Sequence, residues 1–102
     1  MAAAPFRIST QTKRVLEALL HAPHEWHYGY PLSLATGLKS GTLYPILQRL
    51  EQHNWLETRW EQSAEGRPPR HMYRLTQAGW HGVREVLGEK RIERLEASWS
   101  AS

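Results

Sequence analysis

Cysteine is absent from the 102 residues, which excludes disulfide frameworks and zinc–thiolate sites and suits a reducing compartment. No stretch of 18 apolar residues occurs, so no membrane-spanning helix is expected. The opening Met1-Ala2-Ala3-Ala4-Pro5 lacks the charged and apolar regions of a signal peptide. These absences predict a soluble, cytoplasmic protein with no membrane contact. Neither a nucleophile–base arrangement nor a phosphate-cradling glycine loop is present, so catalysis is not expected. Among the six histidines, His24 and His27 lie in an expected loop with Glu25 as the sole nearby carboxylate. Two ligands without defined geometry make no metal site, and no cofactor is expected.

Acids are also missing from residues 66–83, which hold Arg67, Arg70 and Arg74. The formal charge of +3 is therefore unevenly spread. Residues 1–50 carry five Lys/Arg against two acids, while residues 51–65 carry Glu51, Glu57, Glu61 and Glu65 against Arg59. From Arg84 to Glu96, four bases balance four acids. The basic excess falls where nucleic-acid phosphates would lie; ordinary surface scatter is the alternative.

A chain of this length makes one domain with a modest core, a size that often gains stability by oligomerising. Ser9 or Thr10 caps a first helix to about His21, with Val15, Leu16, Leu19 and Leu20 facing inward. Pro23 stops it. The segment from Trp26 leads into a short second helix that ends near Gly37, with Pro31 in its first turn. Ser40 or Gly41 caps a third, whose Leu43, Ile46, Leu47 and Leu50 form one apolar stripe. Pro45 is tolerated in its early turns, and Asn54 stands where a left-handed C-terminal cap is expected. Leu56, Thr58 and Trp60 alternate with charged residues, as His71, Tyr73 and Leu75 alternate with Met72 and Arg74. They read as a hairpin, its projecting loop stiffened by Pro68-Pro69. Thr76 then caps a long final helix. Trp80, Val83 and Leu87 make one stripe on it, while Ile92, Leu95 and Trp99 make another, offset by a step of five around Gly88. The first is expected to pack on its own domain and the second on a partner chain; the alternative folds this end back on helix 1.

A short helix followed by a basic hairpin suits double-stranded DNA, the helix in the major groove and an arginine-tipped wing at phosphates or the minor groove. Ser40 and Gly41 offer backbone N–H groups to a phosphate, and Thr42 and Tyr44 reach a base edge, a thymine methyl or a phosphate. Gln48 and Arg49 follow on the same face, although Arg49 has Glu51 and Glu57 as alternative partners. Lys39 reads as a phosphate clamp, Tyr28 as a hydroxyl donor to a phosphate, and Arg67 and Arg70 as the wing contacts. The plainer readings make Ser40 a cap, Tyr44 a packing residue and the arginines solvated loop charges. A rival reading makes the aromatic surface around Trp26 and Tyr30 a protein-docking face.

Several blocks resemble the PadR family of transcriptional regulators. They are Tyr28-Gly29-Tyr30, the run Lys39-Ser40-Gly41-Thr42-Leu43-Tyr44-Pro45-Ile46-Leu47-Gln48-Arg49-Leu50-Glu51, Gly66-Arg67-Pro68-Pro69-Arg70, Tyr73-Arg74-Leu75-Thr76 and Ala78-Gly79. They fall in order across roughly residues 12–87. The resemblance implies a fold that is mainly α with a small β-hairpin, a winged helix–turn–helix followed by a long C-terminal helix. Residues 1–8 would be a flexible N-terminal tail, 9–75 the DNA-binding domain and 76–102 the dimerisation helix, as in the small subfamily. It also implies a homodimer, repression at palindromic operators, and release by effectors, often phenolic acids or drug-like molecules. In multidrug-responsive relatives a tryptophan of the C-terminal helix lines a pore between subunits. Trp99 lies in a comparable place, where paired indoles would sandwich an aromatic small-molecule effector, with plain dimer packing as the alternative. The stretch between Tyr30 and Ser40 is shorter than in many members, which predicts a truncated second helix.

Overall fold

The computed structural model describes residues 6–62 and 64–101. Helix α1 (Thr10–His21) starts where Ser9 accepts a hydrogen bond from the Thr12 N–H, and its Val15, Leu16 and Leu19 are fully buried. Strand β1 (His27–Tyr28) leads into α2 (Gly29–Thr36), eight residues that end on Gly37 in the left-handed conformation. Helix α3 (Ser40–Gln52) turns its Leu43, Leu47 and Leu50 into the core. Burying each such leucine contributes about 1.5–3 kcal/mol. The helix closes in a Schellman motif: Trp55 N–H donates to Leu50 O, Asn54 N–H donates to Glu51 O, and Asn54 takes φ +62°.

Strands β2 (Leu56–Glu61) and β3 (Arg70–Leu75) pair antiparallel, and β1 adds to the far edge of β3, giving the order β1-β3-β2. The expected hairpin is thus a three-stranded sheet with β3 at its centre. That explains two departures from simple alternation. Met72, expected on the outer face, is buried because Tyr28 pairs beside it. Trp60, expected inward, lies near the outer end of β2 and is 60% exposed.

The expected final helix is two, α4 (Gln77–Leu87) and α5 (Glu89–Ala101). They meet at Gly88, whose φ of 83° and ψ of 151° are open essentially to glycine alone. This break resolves the five-residue step between the apolar stripes. It turns α5 back on α1, the alternative weighed above: Ile92 is fully buried in its own chain, Arg91 pairs with Glu17 at 2.9 Å, and the Trp99 ring lies 4.6 Å from that of His21. Ile92 is therefore a core residue and not a contact held open for a partner. Of the expected N-terminal tail, residues 1–5 lie outside the described region. From residue 6 on it is anchored, with Phe6 stacked on His53 and edge-on to Trp55. Among the described residues no helix is long and apolar enough to cross a membrane.

Thr76 caps α4 by accepting from Gly79 N–H, and Gly79 lies against the Trp55 carbonyl so closely that a Cβ would collide with backbone. Gly79→Ala should therefore destabilise the fold by about 1–3 kcal/mol, read as a lowered midpoint in urea unfolding. The same change at Gly41, helical and with open space for a Cβ, should leave the midpoint unchanged or raise it.

Candidate nucleic-acid interface

The N-terminus of α3 is open. Lys39, not Ser40 or Gly41, holds the cap position, and no side chain caps the helix. The Thr42 and Leu43 N–H groups bond the Lys39 carbonyl, whereas Ser40 and Gly41, both exposed, stand in the first turn, where helix geometry leaves N–H groups pointing outward. With the helix dipole this makes an anion-accepting end. Ser40 is consequently a first-turn residue whose hydroxyl is not needed for capping.

Beyond that end, one face of α3 carries Tyr44, Gln48 and Arg49, all exposed, with Thr42 half-buried at its margin. Tyr44 is 43% exposed and is held in place by α2, since its hydroxyl and ring lie where a side chain on Gly29 would be. Glycine at position 29 is what lets the phenol lie across the start of α2. The two acids expected to compete for Arg49 are engaged elsewhere: Glu57 pairs with Arg74 at 3.1 Å, and Glu51 accepts from the Thr58 hydroxyl.

The wing side is more constrained than expected. The Tyr28 hydroxyl donates to the Glu61 carboxylate at 2.8 Å, the Arg70 guanidinium lies 3.7 Å from the centre of the Tyr28 ring, and Arg70 and Glu61 stand 4.0 Å apart. The cross-strand pairing Glu61↔Arg70 sets this cluster up. The bond to Glu61 holds the Tyr28 phenol above its ordinary value; desolvation adds to this and Arg70 opposes it. Two expected anion contacts are thus tied to one acid that sequence inspection passed over. Arg67 is exposed near the tip of the loop. Arg74 lies over the Trp26 ring at 4.3 Å, so Trp26 is half-buried beneath a cation and offers little docking surface.

Trp60 and His71 were not singled out as site residues. They are a cross-strand pair and stack at 4.3 Å with 11° between planes, and their pairing at the strand ends was the signal that could have found them. His71 Nδ1 is fixed at 2.9 Å by the Tyr73 hydroxyl. Burial first, then the neighbouring Tyr44 and Glu51, pushes the Tyr73 phenol up to about 12. Among the described residues no group of three or more His, Asp or Glu converges as metal ligands would. His27 Nε2 lies 2.9 Å from the Ala22 carbonyl, which occupies one of the two histidines considered for a metal.

A family model described as the transcriptional regulator PadR-like family matches residues 21–85. Among solved structures, a PadR family transcriptional regulator from Eggerthella lenta shares 32% identity over 89% of this chain and 71% of its own, with a TM-score of 0.56. A Streptococcus mutans protein shares 27% over 90% and 88%, with a TM-score of 0.64. The PcaV transcriptional regulator of Streptomyces coelicolor, solved with its natural ligand, shares 25% over 91% of this chain, with a TM-score of 0.64. The chain spans only 61% of PcaV's length. No curated protein matches the chain.

Because the folded Tyr73 keeps its proton above the ordinary phenol value of 10.0 up to about 12, the folded state holds more protons than the unfolded chain in that window. Stability from this group is complete below pH 10 and should fall as pH rises toward 12. Urea midpoints measured across alkaline pH should decline there, and Tyr73→Phe should flatten the decline.

Proposed function

The chain belongs to the PadR-like family of transcriptional regulators, and we propose that it is a repressor acting as a homodimer on a palindromic operator. The observation that carries this reading is the pairing of an uncapped α3 N-terminus and exposed polar face with a wing on the same side of the molecule, Tyr44 bridging toward α2. In this reading α3 enters the major groove. Lys39 and the Ser40 and Gly41 N–H groups take a phosphate, Thr42, Gln48 and Arg49 face the bases, and the Tyr44 hydroxyl meets a flanking phosphate. Arg67 and Arg70 serve the wing, with Arg70 and Tyr28 exchanging the Glu61 carboxylate for a phosphate on binding. Two such units lie about 34 Å apart on one face of the duplex.

Leu95 and Trp99, half-buried along α5, are the dimer contacts in this proposal, alongside the outer face of that helix. An aromatic effector bound between paired Trp99 side chains would release DNA only by favouring the subunit spacing that does not fit it. PcaV was solved with a ligand, which supports the idea of small-molecule control without naming the molecule.

Fluorescence anisotropy with DNA from upstream of the protein's own gene, against a scrambled duplex and across a salt series, tests the core of this. Tight binding to the upstream fragment that weakens with salt is the expected result; equal weak binding to both would refute it. Gly29→Ala should displace Tyr44, a flexible side chain, and so weaken operator binding with little loss of stability. Glu61→Gln should do the opposite. Freed of the carboxylate, Arg70 should raise affinity roughly two- to fivefold, a surface-pair effect, and steepen the salt slope by about one counterion.

A further inference from the structure

A groove of about 380 Å³ runs between the wing and the first turns of α2 and α3, lined by Tyr30, Tyr44, Trp60, Pro69, Arg70 and His71. We propose that it seats one DNA strand, a deoxyribose lying on the open face of the Trp60 indole and the flanking phosphates meeting the Tyr30 and Tyr44 hydroxyls and Arg70. This rests on the DNA-binding reading and adds to it an apolar contact that no charge pattern announced.

Three observations converge. Trp60 leaves 60% of its surface in water at the outer end of the inward-facing row, where it adds nothing to the core. It is nevertheless positioned by its neighbours. His71 lies flat beneath it, and Tyr73 fixes the imidazole in turn. A large aromatic surface positioned before binding loses little conformational freedom on contact. Position supplies the third argument. If α3 lies in the major groove and the wing reaches the minor groove, the strand dividing the two grooves must run between them, and this groove is the space between them.

The chemistry of the lining fits that occupant. A sugar–phosphate chain alternates an apolar ring face with anionic oxygens, and the groove offers indole and proline faces beside phenol hydroxyls and a guanidinium. Its cation is opposed by Glu61, 4.0 Å away, so net charge alone gives this part of the surface little hold. The indole supplies affinity that needs no net charge.

The distinguishing experiment is an anisotropy salt series on wild type, Trp60→Ala, Trp60→Phe and Arg70→Ala, with circular dichroism confirming each fold. Trp60→Ala should bind about tenfold more weakly at every salt concentration, as truncation of an anchoring tryptophan does. Its salt slope should be unchanged because an apolar contact releases no counterion. Trp60→Phe should keep most of the affinity, and Arg70→Ala should flatten the slope. DNA should also shield the wild type from acrylamide quenching more than it shields Trp60→Phe. If wild type binds with a normal salt slope and Trp60→Ala matches it, the groove assignment is overturned and the DNA-binding reading stands. Shielding of Trp60 by a planar acid such as salicylate, but not by DNA, would give the groove to a small ligand instead. Failure of the wild type to bind would overturn both readings.

Discussion

Trp55 sits at the junction of three elements, and the others take their places from it. Its N–H closes α3 onto Leu50, its carbonyl accepts the Thr76 N–H at the entrance to α4, and Gly79 of α4 rests on that carbonyl. Gly82 leaves room for the indole one turn later, and Phe6 meets its edge. The end of α3, the root of the wing and the start of the C-terminal helices are therefore fixed by one residue's backbone and ring. A shift there would move the wing relative to α3, and their relative placement is what the proposed DNA interface requires.

The parts of the fold legible in the sequence were those set by local chemistry. Thr76 as a cap, Ser9 or Thr10 as the first, Gly37 at the end of α2, Asn54 as a left-handed stop and the inward stripe of α3 all follow from short-range pattern. The parts that were not legible depend on neighbours distant in the chain. Two residues, His27 and Tyr28, became a strand only because β3 had a free edge. Ile92 could be assigned to an apolar stripe, but whether that stripe met α1 or another molecule turned on one backbone angle at Gly88. The expected flexible N-terminal tail is anchored from residue 6, where Phe6 meets the His53 and Trp55 rings.

The interface divides in the same way. Tyr44, Gln48 and Arg49 share a helical face by spacing alone, and the structure leaves that face exposed. The wing was read as a set of independent basic residues, whereas the sheet pairs each inner arginine with an acid across the strand: Arg74 with Glu57, and Arg70 with Glu61. Charge counts over a sequence window cannot register such pairing, because the partners lie 17 and 9 positions apart and meet only through register. Much of the apparent positive charge of residues 66–83 is thereby balanced locally.

Gly88 sets a geometric consequence for the C-terminal segment. Thirteen residues of α5 form a rod about 20 Å long, joined to α4 through a single permissive residue. A turn of ten degrees at that pivot carries the far end through about 3 Å over such a length. Near the pivot the buried Ile92 and the Arg91–Glu17 ion pair hold the rod against α1, and at its far end the Trp99 ring meets that of His21. Whatever meets the tip of α5 therefore works at the long end of a lever whose short end is Gly88, next to the helix that rests on Trp55.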